Sequence, residues 1–395
     1  MENEQLIPLL AAALGTAPEC TENIRVAACL PLAQAHSVAN MLFYALPRLS
    51  QAQQPAPAER QVLKRLAFAA ASREAIQQKE LDALLTRFEE KRITVLPLKG
   101  SVLKQLYPKP ELRYLSDIDL LFDAAQAQVV KATLEHLGYS CERFGQGDAD
   151  IYLSPNRMKY ELHRTVRNEG FSESCRCFLE TLLSRAKPQE GRAFVSELPY
   201  EVHYAYLLCH FAKHLLYGGI GVRQVMDIYL CRKQWHFDEE ALSILLQQLD
   251  LSAFAETLER LAGAWFGGGS GNAVTRELGV YVLGSGSFGT EEQRVIDCML
   301  RRQKKTNRLC YALRRIFPPY NTMCFYFPIL KKVAFLLPFY WIFRIFRGVF
   351  CKRQKLSAEV GAVLDATDGK LRERAAFYRR CGLRGFEKNE TGEKV

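Results

Sequence analysis

Leu96–Ser101, with the sequence LPLKGS, and Asp117–Phe122, with the sequence DIDLLF, set the arrangement of the chain. Each contains an apolar run of strand length, and the first ends in a Gly-Ser pair that is typical of a turn. Because side chains two positions apart leave the same face of a strand, Asp117 and Asp119 are predicted to point the same way. A turn that can bind phosphate, followed by paired carboxylates, indicates a metal-dependent phosphate-transfer site.

Short predicted strands and helices alternate around these two stretches, which indicates a small mixed sheet with helices on one side. A helix is predicted at Val102–Tyr107, and an amphipathic helix at Ala124–Leu137 ends before Gly138, a typical C-terminal stop. The predicted strands are Ile93–Leu98, Ile118–Phe122, Tyr139–Phe144, Ile151–Leu153 and Met158–Val166.

In the sequence, helical patterns both precede and follow the sheet region, so the predicted fold class is α+β. Glu74 and Gln77 interrupt the apolar face of the longest N-terminal segment, which indicates either an exposed middle or two helices. The predicted flanking helices are Leu6–Leu14, a stretch around Leu30–Leu49, Arg60–Arg92, Ser174–Lys187, Tyr200–Leu216, Gly221–Gln234, Asp238–Leu249 and Leu251–Phe266.

The 395 residues exceed one ordinary compact core, so we expect several regions. A hydrophobic share of 48% and a charged share of 24% are typical of a globular protein and exclude a disordered one. The predicted regions are an N-terminal helical region at 1–90, the mixed-sheet core at 91–168, a second helical region at 169–310 and a basic, apolar helical region at 311–395.

The formal net charge of +10 indicates an anionic partner, which could be a phosphorylated ligand, a nucleic acid or a membrane surface. The acidic start and the irregular spacing of the twelve cysteines predict a cytoplasmic protein with reduced thiols. Cys175 and Cys177 have no matching second pair, which argues against a structural zinc site. Much of the basic excess lies beyond residue 300, at Arg301, Arg302, Lys304, Lys305, Arg308, Arg314 and Arg315.

Residues 324–350 are the most apolar part of the sequence. Their uncharged runs are shorter than the ~20 residues that a membrane-spanning helix requires, and Pro328 and Pro338 are predicted to kink a helix. The segment is predicted either to pack in a core or dimer contact, or to lie in the membrane interface as a peripheral contact. Four basic residues interrupt it: Lys331, Lys332, Arg344 and Arg347.

Asp117 and Asp119 could hold one or two Mg²⁺ ions, which prefer oxygen ligands. Glu161, on a later predicted strand, is the candidate third ligand or general base, and the alternative is a solvated strand residue. Two bound Mg²⁺ ions would neutralise the charge that a transferring phosphate group carries.

Gly100 and Ser101 open the helix after the first predicted strand, where free backbone N–H groups and the helix dipole could hold nucleotide phosphates. Lys99 either adds positive charge there or faces solvent. Arg113, on the loop before the carboxylates, either reaches a phosphate or forms a structural ion pair.

The stretch from Leu98 to Pro108, together with Arg113 and Asp117–Leu121, resembles the bacterial family of uncharacterised nucleotidyltransferases, within the polymerase-β-like nucleotidyltransferase superfamily. Glu161–His163 and the downstream helical segment from His210 to Ile228 are also similar to this family, so the resemblance covers about residues 90–235.

The resemblance implies a nucleotidyltransferase core with appended helices. It further implies that Asp117, Asp119 and Glu161 are metal ligands and that Gly100 and Ser101 form the nucleotide-phosphate turn. It does not imply an acceptor substrate.

A second group of residues is predicted either to contact the acceptor or to be structural. His210 and His214 are four positions apart on one helical face, a spacing that can chelate a metal, and Asp227 could orient either ring. Hydrogen bonding between helices is the alternative. Lys213 and Arg223 could contact a phosphate or the acceptor.

These observations predict an enzyme that moves a nucleoside monophosphate from a nucleoside triphosphate such as ATP to an acceptor hydroxyl. One alternative is a metal-dependent glycosyltransferase, which can also use Asp-x-Asp, although the few predicted strands disfavour its larger Rossmann-like domain. Another is a non-catalytic scaffold at the inner membrane face, with a nucleotidyltransferase-like fold and a membrane contact through 324–350. The sequence identifies neither the triphosphate nor the acceptor, and nothing in the core singles out nucleic acid.

Overall fold

The structure is a computed structural model that describes residues 5–16, 24–167, 172–287, 289–301, 313–314, 316–351, 361–363 and 366–384. Within these residues a five-stranded mixed sheet is surrounded by helices, which confirms the predicted α+β class. The basic residues Arg302, Lys304, Lys305, Arg308 and Arg315 lie outside the described residues.

The central sheet has the strand order β1-β2-β5-β4-β3, in which β2 and β5 are parallel and the other neighbours are antiparallel. Alternation along β5 buries Tyr160 and Leu162 on one face and leaves Glu161 on the other. The strands are Val95–Pro97 (β1), Asp117–Phe122 (β2), Ser140–Arg143 (β3), Ala149–Leu153 (β4) and Lys159–His163 (β5).

The helices before and within the sheet region are close to the predicted ones, and the long N-terminal segment is one continuous helix. They are Leu6–Leu14 (α1), Leu30–Ala35 (α2), Met41–Ala45 (α3), Pro57–Glu90 (α4), Gly100–Leu103 (α5) and Ala127–His136 (α6).

The region after the sheet contains a short hairpin of Lys187–Pro188 (β6) and Ser196–Glu197 (β7), and its helices at Ala273–Ser285, Glu291–Arg301 and Asp368–Arg380 were not individually predicted. The helices are Glu173–Glu180 (α7), Leu182–Arg185 (α8), Tyr200–Leu216 (α9), Val222–Gln234 (α10), Glu239–Gln248 (α11), Ser252–Phe266 (α12), Ala273–Ser285 (α13), Glu291–Arg301 (α14), Tyr320–Tyr326 (α15), Leu337–Cys351 (α16) and Asp368–Arg380 (α17).

The described chain has two large hydrophobic cores. One lies under the sheet, where Leu84 and Phe88 of α4 and Val130 of α6 pack against the strands. The other joins the N-terminal helices to the helices after the sheet, because α1 packs against both α3 and α12. The N-terminal helices therefore share one core with α12 and its neighbours after the sheet. The predicted region boundaries remain a prediction.

Polar residues on the sheet-facing side of α4 support the segment that leads to the paired aspartates. Lys104 is buried and its Nζ lies 3.0 Å from Oε1 of Glu74. The Gln77 amide and the Arg73 guanidinium both donate to the Leu115 carbonyl, at 3.3 and 3.4 Å. The interruption of the apolar stripe therefore reflects a polar contact with the site region.

Pro328 and Pro338 do not kink a helix, so that prediction was wrong. Pro328 begins a 3₁₀ turn, and Pro338 is the second residue of α16. Proline is tolerated in the first turn of a helix because the N–H that it lacks would have no intrahelical partner there. Among the helices that the structure describes, none combines the length and the apolar character needed to cross a membrane.

Replacing Gly100 with Ala is expected to destabilise the protein by about 1–3 kcal/mol. A Cβ at this position would lie 2.2 Å from Cδ2 of Leu115, so the buried Leu115 side chain would have to move. Urea unfolding would measure the change. Gly263→Ala is the matched control, because a Cβ there meets no atom within 4 Å and the helix gains about 0.5–1 kcal/mol. An equal effect of both substitutions would contradict the close approach at Gly100.

Candidate active site

Three carboxylates lie close together where β2 and β5 run side by side. The parallel register places Asp119 beside Glu161, and Asp117 is two positions from Asp119 on the same face. Burial, and then the negative charges of Asp119 and Glu161, raise the pKa of Asp117. The part of the rise that comes from Asp119 and Glu161 is repulsion between carboxylates, which a bound cation would relieve.

Asp119 is the buried member of this group. Its Oδ1 accepts a hydrogen bond from Nζ of Lys99 at 2.7 Å and lies 2.8 Å from Nε2 of His163. Burial alone would raise the pKa of Asp119, but Lys99 and His163 outweigh burial and hold the pKa well below its usual range. Asp119 is therefore ionised, as a metal ligand has to be.

One group of side chains in the described residues has the spacing of a metal site. Ligand atoms of Asp119, Glu161 and His163 all lie within 4.8 Å of one another. His163 was not among the predicted site residues, although its place two positions after Glu161 puts both on one strand face. Lys159 forms an ion pair with Glu161, and its Nζ is 3.9 Å from Oδ2 of Asp117.

The turn after β1 brings Lys99 into the site. Lys99 has a φ of 52°, in the left-handed region that favours glycine, at a cost of roughly 1–3 kcal/mol. Its side chain faces Asp119 and not solvent. Burial would lower the pKa of Lys99, but the Asp119 charge raises it well above its usual value. The Ser101 hydroxyl donates to the Leu98 carbonyl at 2.7 Å, which stabilises the turn.

Arg113 makes the ion pair that was one of its two predicted roles. Its Nε and Nη2 each lie 2.8 Å from an oxygen of Asp227, and the Tyr107 hydroxyl donates to Asp227 at 2.8 Å. Asp227 thus binds Arg113 and Tyr107, and these contacts do not include the histidines that it was predicted to orient.

Arg223 is a second buried guanidinium near the same carboxylate. Its Nη1 donates to the Tyr114 carbonyl at 2.7 Å, while its Nε has no hydrogen-bond partner among the described residues. Burial, and then the charge of Arg113, lower the pKa of Arg223 to about 10. Two guanidiniums therefore lie near one carboxylate, which pairs with Arg113, and an anionic group could neutralise the remaining positive charge.

His210 and His214 lie on one face of α9, with ring centroids 4.4 Å apart. Burial, and then the charge of Lys99, lower the pKa of both, that of His214 to about 4, so both rings are neutral at pH 7. The charges of Lys99 and Asp119 both act on the pKa of His214, so this face of α9 lies near that ion pair. Lys213 points elsewhere, and its Nζ donates to the Arg167 carbonyl at 3.4 Å.

Comparison with known proteins adds one family match. The sequence profile of the family described as "Uncharacterised nucleotidyltransferase" matches residues 22–267, which is more than half of the chain. No curated protein matches the sequence significantly. A solution structure of the antibiotic-resistance factor ANT(2'')-Ia is similar at 12% sequence identity and a TM-score of 0.32, over 44% of this chain and 90% of that chain.

Proposed function

The chain belongs to the family of uncharacterised nucleotidyltransferases and is thus an enzyme of nucleotidyl transfer, and we propose that it moves a nucleoside monophosphate from a triphosphate to an acceptor hydroxyl. The proposed metal ligands are Asp117, Asp119 and Glu161, which would hold two Mg²⁺ ions. ATP is the proposed first triphosphate to test.

The register between β2 and β5 carries this proposal, because it brings all three carboxylates to one face of the sheet. The donor set fits Mg²⁺, which prefers carboxylate oxygens. The pKa of Asp117 is raised first by burial and then by the charges of Asp119 and Glu161, and a bound cation would offset the second of these causes.

Mg²⁺, when bound, would neutralise the charge that builds up on the transferring phosphate. Lys99 supports this chemistry by keeping Asp119 ionised. Gly100 and Ser101 are the first residues of α5, so their N–H groups lack intrahelical partners, and we assign them to the triphosphate. Arg113 and Arg223 are the proposed cationic contacts of the triphosphate. Arg223 is favoured because its Nε has no hydrogen-bond partner among the described residues.

The acceptor is proposed to bind between the carboxylates and α9. His210 and His214 face that side, and as neutral imidazoles each can accept a hydrogen bond from an acceptor hydroxyl. Lys213 remains a candidate contact for a larger acceptor. We also propose a cytoplasmic location with a peripheral membrane contact through residues 324–350.

The proposal is tested with ATP labelled either on the α- or on the γ-phosphate, incubated with the protein, Mg²⁺ and cell extract. Nucleotidyl transfer retains the α-label on an acceptor and releases the γ-label in pyrophosphate. Transfer of the γ-label would show phosphoryl transfer and contradict the proposal. Equilibrium binding of each triphosphate, with Mg²⁺ and with a chelator, identifies the donor and shows whether its binding requires the metal.

A further inference from the structure

One long stretch near the C-terminus contains only basic residues among its charged ones. Between Asp297 and Glu359 the sequence contains 14 of the 53 Lys and Arg residues and none of the 43 Asp and Glu residues. Without this stretch the formal net charge of +10 would be negative. The basic character of the protein is therefore local, and it points to an anionic surface as the partner of this region.

Within this stretch, residues 316–351 form a small core of their own. Met323, Cys324 and Leu330 are buried there, apart from the two larger cores. The indole N–H of Trp341 donates to the Pro318 carbonyl at 3.0 Å, and the Tyr320 hydroxyl donates to the Leu330 carbonyl at 2.8 Å. The first bond ties α16 to the residues just before α15, and the second ties α15 to the turn that follows it. Because Trp341 packs against the small core, its side of α16 faces inward.

The outward side of α16 is apolar. Phe339, Ile342, Phe343 and Phe346 are spaced as one helical face, and between 53% and 66% of each is exposed. Phe335, just before the helix, is 75% exposed. A soluble helix normally turns such a face inward, so this surface, which we name the aromatic stripe, is suited to an apolar environment outside the protein.

We propose that the aromatic stripe inserts into the headgroup region of an anionic lipid surface, with Lys331 and Lys332 at the lipid phosphates. Both lysines are exposed and lie between α15 and α16. Exposed aromatic side chains beside basic ones are typical of a segment that lies in the membrane interface. Nucleic acid would leave the apolar stripe unused, and two copies meeting through it would bring their basic stretches together.

The test is flotation of the purified full-length protein with vesicles of phosphatidylcholine alone or with added phosphatidylglycerol. We expect binding to the anionic vesicles only, and weaker binding at high salt. Two double variants, Phe339→Asp/Phe343→Asp and Lys331→Glu/Lys332→Glu, should each bind the anionic vesicles at least about tenfold more weakly than the wild type. Phe68→Asp is the matched control, because Phe68 is 74% exposed on α4 and lies outside the stripe.

Circular dichroism of each variant, together with nucleotidyl transfer in the absence of vesicles, would confirm that the fold and the active site are intact. Equal binding to neutral and anionic vesicles, or no loss in the stripe variant, would overturn the proposal. So would a wild-type dimer that dissociates in the stripe variant without lipid, since a second copy would then cover the stripe. Salt-sensitive binding to single-stranded RNA, with no vesicle binding, would identify nucleic acid as the partner instead.

Discussion

Replacing Asp119 with Asn is expected to lower the rate of nucleotidyl transfer by about 10³-fold, which corresponds to about 4 kcal/mol of transition-state stabilisation. Asn keeps the size of the side chain but removes the negative charge that binds a cation and pairs with Lys99. The initial rate of pyrophosphate release, measured across a range of Mg²⁺ concentrations, reports the change. Added Mg²⁺ should not restore the rate fully, because the missing ligand is buried at the centre of the group.

Asp150→Asn is the control for the loss of a buried charge. Asp150 is also buried in the same sheet and also forms an ion pair, with Arg164 at 2.9 Å. Its register partner is Leu162, so it lies on the opposite face from Glu161. We expect this variant to lose stability but to retain transfer activity while folded. A similar loss of activity in both variants would show that Asp119 acts through stability and not through the chemistry.

The face shared by Asp117 and Asp119 could be predicted because strand geometry is local. Side chains two positions apart share a face whatever the rest of the chain does. The same rule would have added His163 to Glu161. What the local pattern could not provide is the parallel pairing of β2 with β5, which sets Asp119 beside Glu161 across an intervening helix and two strands.

The polar residues on α4 show a second limit of the sequence pattern. Glu74 and Gln77 looked like faults in an apolar stripe, and the pattern offered exposure or a break as explanations. In the structure, their partners are Lys104 and the Leu115 carbonyl, which follow them by 30 and 38 positions. A buried polar side chain indicates that it has a partner, but only the tertiary structure identifies it.

Arg113 shows the same limit at the site itself. Its position just before the paired aspartates favoured a phosphate contact and an ion pair equally, and its partner Asp227 lies 114 positions away. The bidentate geometry also explains why the sequence contains Asp227 in an otherwise apolar stretch of α10, between Met226 and Ile228. The ion pair ties α10 to the loop before β2 and so helps to position the carboxylates.

Replacing Asp227 with Ala is therefore expected to destabilise the protein by about 3–5 kcal/mol. The substitution leaves the Arg113 guanidinium buried without its partner, close to a second guanidinium at Arg223. Urea unfolding followed by fluorescence measures the free energy of unfolding. Glu239→Ala is the matched control, since Glu239 pairs with Arg232 at the surface and its removal should cost less than about 1 kcal/mol.

Arg113→Met separates the structural role of Arg113 from a role in binding phosphate. If Arg113 serves only the ion pair, Arg113→Met and Asp227→Ala should each destabilise the protein. The double variant should then lose less stability than the sum of the two single losses, because both substitutions remove the same interaction. Triphosphate affinity, measured where Arg113→Met is fully folded, should then change less than about threefold. A much larger loss of affinity with unchanged stability would assign Arg113 to the phosphate, and the ion pair with Asp227 would then have to open when nucleotide binds.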